Sequence, residues 1–326
     1  GKTTTTGMLS HVMSLVAPTG YLIGDGTGEM PENSKYFVLE SCEYQRHFLA
    51  YEPQYAIITN IELDHVDYYK DMADYCNAFE TFANQVKKGV VIFGDDESTR
   101  SLNVNTAHLY YGLHDDNDVQ AVNIVQGEDG MSFDVLYKKN LFGSFKLPFV
   151  GKPLLWNSLG VIALGIMEGL RAEVLQNGLE SFPGVKRRFT IEENHGNIYI
   201  DDYAHHPTEI KATLTAAQKY PHRQIWCVFQ PHTYTRTKAF FHEFADALSL
   251  ADKIVLADIY AARETDPGDI HSRDIQKLLL EKGKEAYYFP SFEEIEKFLR
   301  EKCINGDLLI TMGAGDVVNI GEALLK

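Results

Sequence analysis

Twice along this chain, short apolar runs alternate with helix-like segments, and that repetition limits the possible folds more than any single motif. In the first half the runs are "GYLIG" (20–24), "KYFVLE" (35–40), "YAIITNI" (55–61) and "GVVIFGDD" (89–96), separated or followed by helix-like stretches at 6–15, 71–87 and 154–170. Strands buried on both faces of a parallel sheet read as continuous apolar runs, so the spacing predicts a doubly wound sheet. Between about 105 and 150 the texture changes to "AHLYYG", "VQAVNIVQGEDGMSFDVLYKK" and "GSFKLPFVG". Alternation there, with the Gly-Glu-Asp-Gly turn, predicts a small antiparallel patch.

"SFPGVKRRF" (181–189) breaks the series with Pro-Gly and a basic cluster, which places a boundary between domains at 1–182 and 183–326. A second series then starts. "NIYIDDY" precedes a helix from Pro207, "QIWCVFQ" one from Lys238, and "KIVLADIY" one from Ser272; "AYYFPS" leads into "FEEIEKFLREKC" and "DLLITMGAGD" into a last short helix. The expected fold class is therefore α/β: a mostly parallel first domain with an antiparallel patch, then a Rossmann-like α/β domain.

A length of 326 residues, 44% hydrophobic and 23% charged, suits about two domains with real cores. The net charge of -16 argues against a nucleic acid or an anionic membrane as partner, because both need concentrated positive charge. Cys42, Cys76, Cys227 and Cys303 are scattered without a C-x-x-C pair, so they read as apolar thiols in a reducing cytoplasm rather than as a disulfide or zinc framework. No apolar run is long enough to span a bilayer.

Chemistry concentrates where runs end and helices begin. "GKTTTTGMLS" looks like the end of a phosphate-binding loop, G-x-x-x-x-G-K-[ST], with Lys2 for the terminal phosphates and the Thr3 hydroxyl for a cation; a solvated helix start capped by threonine is the competing reading. Gly1 stands as the second glycine of that pattern, so the first glycine and its strand are expected upstream of the sequence given. Glu40 closes "KYFVLE", either as a surface acid or as a carboxylate for Mg²⁺ beside a triphosphate. Asp64, His65 and Asp67 bunch at the end of "NIELDHVDYY", as a metal or phosphate site or as a polar loop. Their placement beside Lys2, Thr3 and Glu40 favours a site. "DDYAHHPTE" and "FQPHTYTRT" each follow a strand and open a helix, where anions meet helix N-termini, although histidines also serve as caps. Lys186, Arg187 and Arg188 form either a functional cluster or a solvated linker, and "TMGAGD" is a glycine-rich strand exit.

In this order the pieces resemble the Mur ligases of bacterial cell-wall synthesis, most closely the alanine-adding branch, along nearly the whole chain. "GKTTTTGM", "ESCEYQRHFL", "TNIELDHVDYY", "GVKRRF", "DDYAHHPTEI", "FQPHTYTRT" and "MGAGD" carry the resemblance; "IGDGTG" (23–28) also suits that branch. The family has an N-terminal domain for the UDP-sugar, a central ATPase and a C-terminal domain that receives the amino acid, and this chain resembles the second and third. The four threonines then belong to the ATP loop, and a G-T-x-G segment is expected before Gly1 in the gene. The chain as given is expected to bind Mg-ATP weakly and to turn over little.

The resemblance implies that the lactyl carboxylate of UDP-N-acetylmuramate attacks the γ-phosphate of ATP, and that L-alanine displaces phosphate from the resulting acyl phosphate. It implies nucleotide contacts from Gly1, Lys2, Thr3, Thr4, Asn157, Arg188, Asp202 and Tyr203. It implies that Thr3 and Glu40 hold a first Mg²⁺ and His65 a second, between ATP and the substrate carboxylate, and that catalytic contacts come from Lys2, His65, Arg188, His232 and Arg236. Pro153-Leu154 replaces the family's usual His-Asn before Asn157. Glu80 stands where several relatives carry a carbamylated lysine, as a supporting carboxylate. The alternatives are a tripeptide-recycling ligase, a folylpolyglutamate synthetase, or a P-loop module without ligase chemistry. No N-K-x-D guanine signature is present.

Overall fold

The computed structural model describes residues 1–24, 26–127, 130–194 and 197–325, and the chain divides into two compact units, Gly1–Val185 and Lys186–Lys326. The division falls inside "SFPGVKRRF", three residues beyond the boundary read from sequence (185 against 182).

In the first unit the larger sheet runs Tyr55–Ile58, Gly89–Phe93, His108–Gly112, Val119–Gly127, Gly130–Tyr137, Asn140–Leu147 among the described residues. Its first four strands are parallel and the last two pairings antiparallel. The antiparallel patch therefore continues the parallel sheet. "AHLYYG", grouped with the patch by its texture, pairs in parallel with Gly89–Phe93. Residues 128 and 129 of the expected Gly-Glu-Asp-Gly turn lie outside the described residues, as does Asp25 of "IGDGTG".

Successive side chains on a strand point to opposite faces, and both faces here are covered. Val90 and Ile92 pack with Ala78 and Phe82 of helix Met72–Gln85, while Val91 and Phe93 pack with Leu155 and Leu159 of helix Lys152–Met167. Val90, Val91 and Ile92 are fully buried, each contributing about 1.5–3 kcal/mol. The runs at 20–24 and 35–40 form a separate small sheet, in which Thr19–Leu22 lies between Gly28–Glu29 and Tyr36–Leu39. The first helix runs Lys2–Ser14, starting four residues before the stretch 6–15 read from sequence, and Thr3 to Thr6 are all buried in it.

The second unit has the sheet order Thr190–Asn194, Asn197–Asp202, Leu308–Met312, Ile225–Phe229, Lys253–Leu256, Glu285–Tyr288. All pairings are parallel except the first, an edge hairpin that sequence reading missed. The helix expected from Lys238 is two: Tyr234–Ala239 and Phe241–Leu248. Strand exits at Asp202, Phe229 and Met312 thus lie at one edge of adjacent parallel strands, the carboxyl end where open α/β sheets place ligands.

Candidate functional site

Three loops build a polar cluster in the first unit. The Gly1 carbonyl accepts from Thr5 N–H at 3.0 Å and starts the helix. A Cβ on Gly1 would lie 3.0 Å from Asn157 Oδ1 and 3.4 Å from Thr59, so the loop glycine, the exit of strand Tyr55–Ile58 and the buried Asn157 converge. The Thr3 hydroxyl donates to Glu40 Oε1 at 3.2 Å, and Gly24 N–H donates to Oε2 at 2.7 Å. A Cβ at Gly24 would lie 2.8 Å from that carboxylate, so a side chain there would displace Glu40 from its place beside Thr3.

Sequence reading missed Glu43, and it is the hub. Lys2 Nζ donates to both its carboxylate oxygens at 2.6 and 2.7 Å, and Tyr75 donates to Oε1 at 3.3 Å. His65 Nε2 lies 3.8 Å from the same oxygen and 4.0 Å from Asp64 Oδ2. Tyr69 fixes the backbone by donating to the Glu43 carbonyl at 2.5 Å. His65 is held at φ +52°, with the Tyr44 ring 4.8 Å away and the Tyr44 hydroxyl on Asp67 at 3.1 Å. Burial opposes the charge on Glu43, but Lys2 outweighs it and lowers the carboxyl's pKa; burial likewise opposes the Lys2 charge, and Glu43 raises its pKa above the ordinary value. Both stay ionised at neutral pH.

Thr4 is buried on the same helix. Glu80 is occupied elsewhere: it accepts from Asn103 N–H at 2.9 Å and ties helix Met72–Gln85 to a neighbouring loop. Among the described residues no three His, Cys, Asp or Glu side chains form an all-protein metal cage. Magnesium needs none, since one or two carboxylates with phosphate oxygens and water suffice, and the hydroxyl-carboxylate pair Thr3–Glu40 offers the hard oxygen donors it takes.

In the second unit the basic cluster splits its duties. Arg187, at φ +55°, donates to Asp201 at 3.1 Å and to the carbonyls of Gly313 and Gly315 at 2.9 and 3.1 Å, and so builds the "TMGAGD" loop. A Cβ on Gly315 would lie 2.3 Å from Gln230 Oε1, and one on Gly313 2.8 Å from the Gln230 carbonyl, so both glycines admit a close approach. Arg188 lies over the Tyr203 ring at 5.0 Å. Asp202 is buried and accepts from Phe189 and Ala204 N–H at 2.8 and 2.7 Å. Burial pushes its pKa up to about 6, with Arg188 pulling the other way. His206 caps helix Pro207–Ala217 in a reciprocal arrangement with Glu209, so in the His-His pair this one does structural work.

His205 and His232 rings are 5.7 Å apart, and His232 stacks on Tyr260 at 5.6 Å. Buried Arg236 donates through Nη1 to His232 Nδ1 at 3.0 Å and to its carbonyl at 3.2 Å. A guanidinium only donates, so Nδ1 accepts and a neutral His232 carries its proton on Nε2. Asp202, Tyr203 and Arg188 thus form one group, and His205, His232 and Arg236 the next.

Comparison with known proteins supplies the rest. The Mur ligase middle domain matches residues 1–165, and the Mur ligase glutamate ligase domain residues 187–315. The chain is 47% identical over 318 residues to a UDP-N-acetylmuramate–L-alanine ligase of Lactiplantibacillus plantarum, covering 97% of this chain and 71% of that protein. The crystal structure of the UDP-N-acetylmuramate-alanine ligase MurC from Thermotoga maritima superposes with a TM-score of 0.82 at 29% identity, covering 99% of this chain and 72% of that one. MurF ligase from Thermotoga maritima, in complex with ADP, shares the fold with a TM-score of 0.78 at 18% identity, covering 99% of this chain and 77% of that one. Among the described residues no helix is long and apolar enough to cross a membrane.

Proposed function

The chain belongs to the Mur ligase family, and from that membership we propose that it joins L-alanine to the lactyl carboxylate of UDP-N-acetylmuramate, driven by ATP, for peptidoglycan precursor synthesis in the cytoplasm. The observation that carries the reading is the convergence of Lys2, Thr3, Glu40, Glu43 and His65, distant in sequence, into one polar cluster. The likeness to an alanine ligase, 47% identical, selects the amino acid.

Phosphoryl transfer needs positioning and neutralised charge more than covalent help from protein. Lys2, held ionised by Glu43, is assigned to the β- and γ-phosphates, with Gly1 and Thr4 lining the loop and Asn157 set for the base. Thr3 and Glu40 are the residues that would hold one Mg²⁺ and His65 the one that would hold a second, which when bound supply neutralisation of phosphate charge. Arg188, with Asp202 and Tyr203, is assigned to the transferred phosphate and nucleotide. The Arg236 guanidinium offers a planar fork for the carboxylate of the amino acid. His232, whose Nδ1 is taken by Arg236, presents Nε2–H as a donor toward an acyl phosphate oxygen, so it orients the leaving group and does not take the amine's proton.

The test is isotopic. With ¹⁸O in the lactyl carboxylate, attack on the γ-phosphate and displacement by the amine leave one ¹⁸O in the released phosphate. Unlabelled phosphate alongside amide product would exclude the acyl phosphate route.

A further inference from the structure

Helix Tyr234–Ala239 carries Arg236, yet nothing in its own sequence caps it. The N-cap, Thr233, sits at φ +66° and its side chain accepts no bond from the first turn. The exposed N–H groups at such a start need acceptors. They find them on Glu264, from the loop that follows strand Lys253–Leu256. Its Oε2 accepts from Tyr234 N–H at 2.6 Å and from Thr235 N–H at 3.0 Å, and its Oε1 accepts from the Thr235 hydroxyl.

The two loops are also stitched through their backbones. Thr233 N–H donates to the Tyr260 carbonyl at 2.9 Å and Tyr260 N–H to the Pro231 carbonyl at 2.8 Å, with His232 stacked on the Tyr260 ring. Glu264 itself is tied back by its N–H on the Ala261 carbonyl at 2.9 Å. His232 therefore stands just before, and Arg236 within, a six-residue helix whose first turn is fixed by a carboxylate from another loop. A helix this short has little stability of its own, so its start sets where the guanidinium points.

We infer that Glu264 is a positioning residue for the amino-acid step: it caps the helix of Arg236 from outside and so sets the geometry of the Arg236–His232 pair. The inference rests on the proposed assignment of that pair to the amino acid. Glu264 touches no reacting atom. A carboxylate suits the place because it accepts from all three donors and carries negative charge at a helix N-terminus.

The experiment is steady-state phosphate release by the complete gene product carrying Glu264→Ala or Glu264→Gln, with L-alanine and ATP varied separately. Glu264→Ala is expected to raise the KM for L-alanine about tenfold or more while the KM for ATP stays within about twofold. Glu264→Gln keeps one oxygen for the two N–H groups and is expected to recover most of that loss. An alanine KM within about twofold of wild type in Glu264→Ala, or alanine and ATP constants rising together, overturns the inference. Should Glu264→Ala fail to fold, Thr235→Val, which removes one of the three donors to Glu264, carries the test: a rise confined to the alanine KM supports the inference, and no rise, or alanine and ATP constants rising together, overturns it. Wild-type protein that releases no phosphate in response to L-alanine defeats the functional reading itself, which is distinct from an alanine-dependent wild type matched by its Glu264 variant.

Discussion

Asp202 is a buried carboxylate whose charge works against folding, and Asp202→Asn measures by how much. Its pKa rises from 3.8 to about 6 because burial penalises the ionised form more than Arg188 and the backbone donors compensate. Between about pH 4 and pH 6 the native state then holds a proton that the unfolded chain has lost. Stability from this group is therefore full below the unfolded pKa and falls as pH rises through the folded one. A shift of about two units at 1.36 kcal/mol each makes the penalty about 3 kcal/mol above pH 6. Asparagine removes the titration but replaces one acceptor with a donor facing Phe189 or Ala204 N–H, a pH-independent loss of about 1–3 kcal/mol. Asp202→Asn is thus expected to be the less stable protein at pH 4 and to draw level with or pass wild type by pH 7.5. Urea unfolding followed through the buried Trp226 of the second unit, in a Trp156→Phe background, reads this directly. Stability curves that stay parallel within about 0.5 kcal/mol from pH 4 to 7.5 would refute the reasoning.

Glu43→Gln leaves Lys2 a neutral partner and is expected to weaken Mg-ATP binding about tenfold or more, measured by nucleotide titration. Arg187→Ala removes three bonds that build the glycine loop and is expected to cost about 2–4 kcal/mol in urea unfolding. Arg188→Ala removes the cation that offsets the buried Asp202 carboxylate and is expected to lower kcat about 100-fold, measured by steady-state phosphate release. Gly313→Ala combines φ +152° with a Cβ 2.8 Å from the Gln230 carbonyl and is expected to destabilise by about 1–3 kcal/mol, read as a lower Tm.

Parallel strands announced themselves because burial on both faces forces continuous apolar runs such as "GVVIF" and "IWCVF", each buried throughout. Edges were harder. "TIEEN" mixes apolar and acidic residues, as an edge strand does, and gave no run to read. The first helix started late in the sequence reading because its opening residues read as the end of a phosphate loop, whereas the helix begins inside that motif, at Lys2, with all four threonines buried. Position at strand exits singled out Glu40 and His65 as candidates, but their roles came from the family resemblance. The role of Glu43 was not legible at all, because it stands at the N-cap of the kinked 3₁₀ segment Tyr44–Ala50, where Gln45 and Arg46 at φ +51° and +58° break any regular helical or strand spacing. Nor could spacing show that Arg187 builds a loop while Arg188 faces Tyr203, since adjacent residues of one type differ only in where the backbone aims them.

The most direct measurement is phosphate release by the complete gene product with Mg-ATP, omitting UDP-N-acetylmuramate or L-alanine in turn. Fast release is expected only when both are present, with an amide product in equal amount. Release that ignores either one, or that answers to a different amino acid in place of L-alanine, would contradict the assignment.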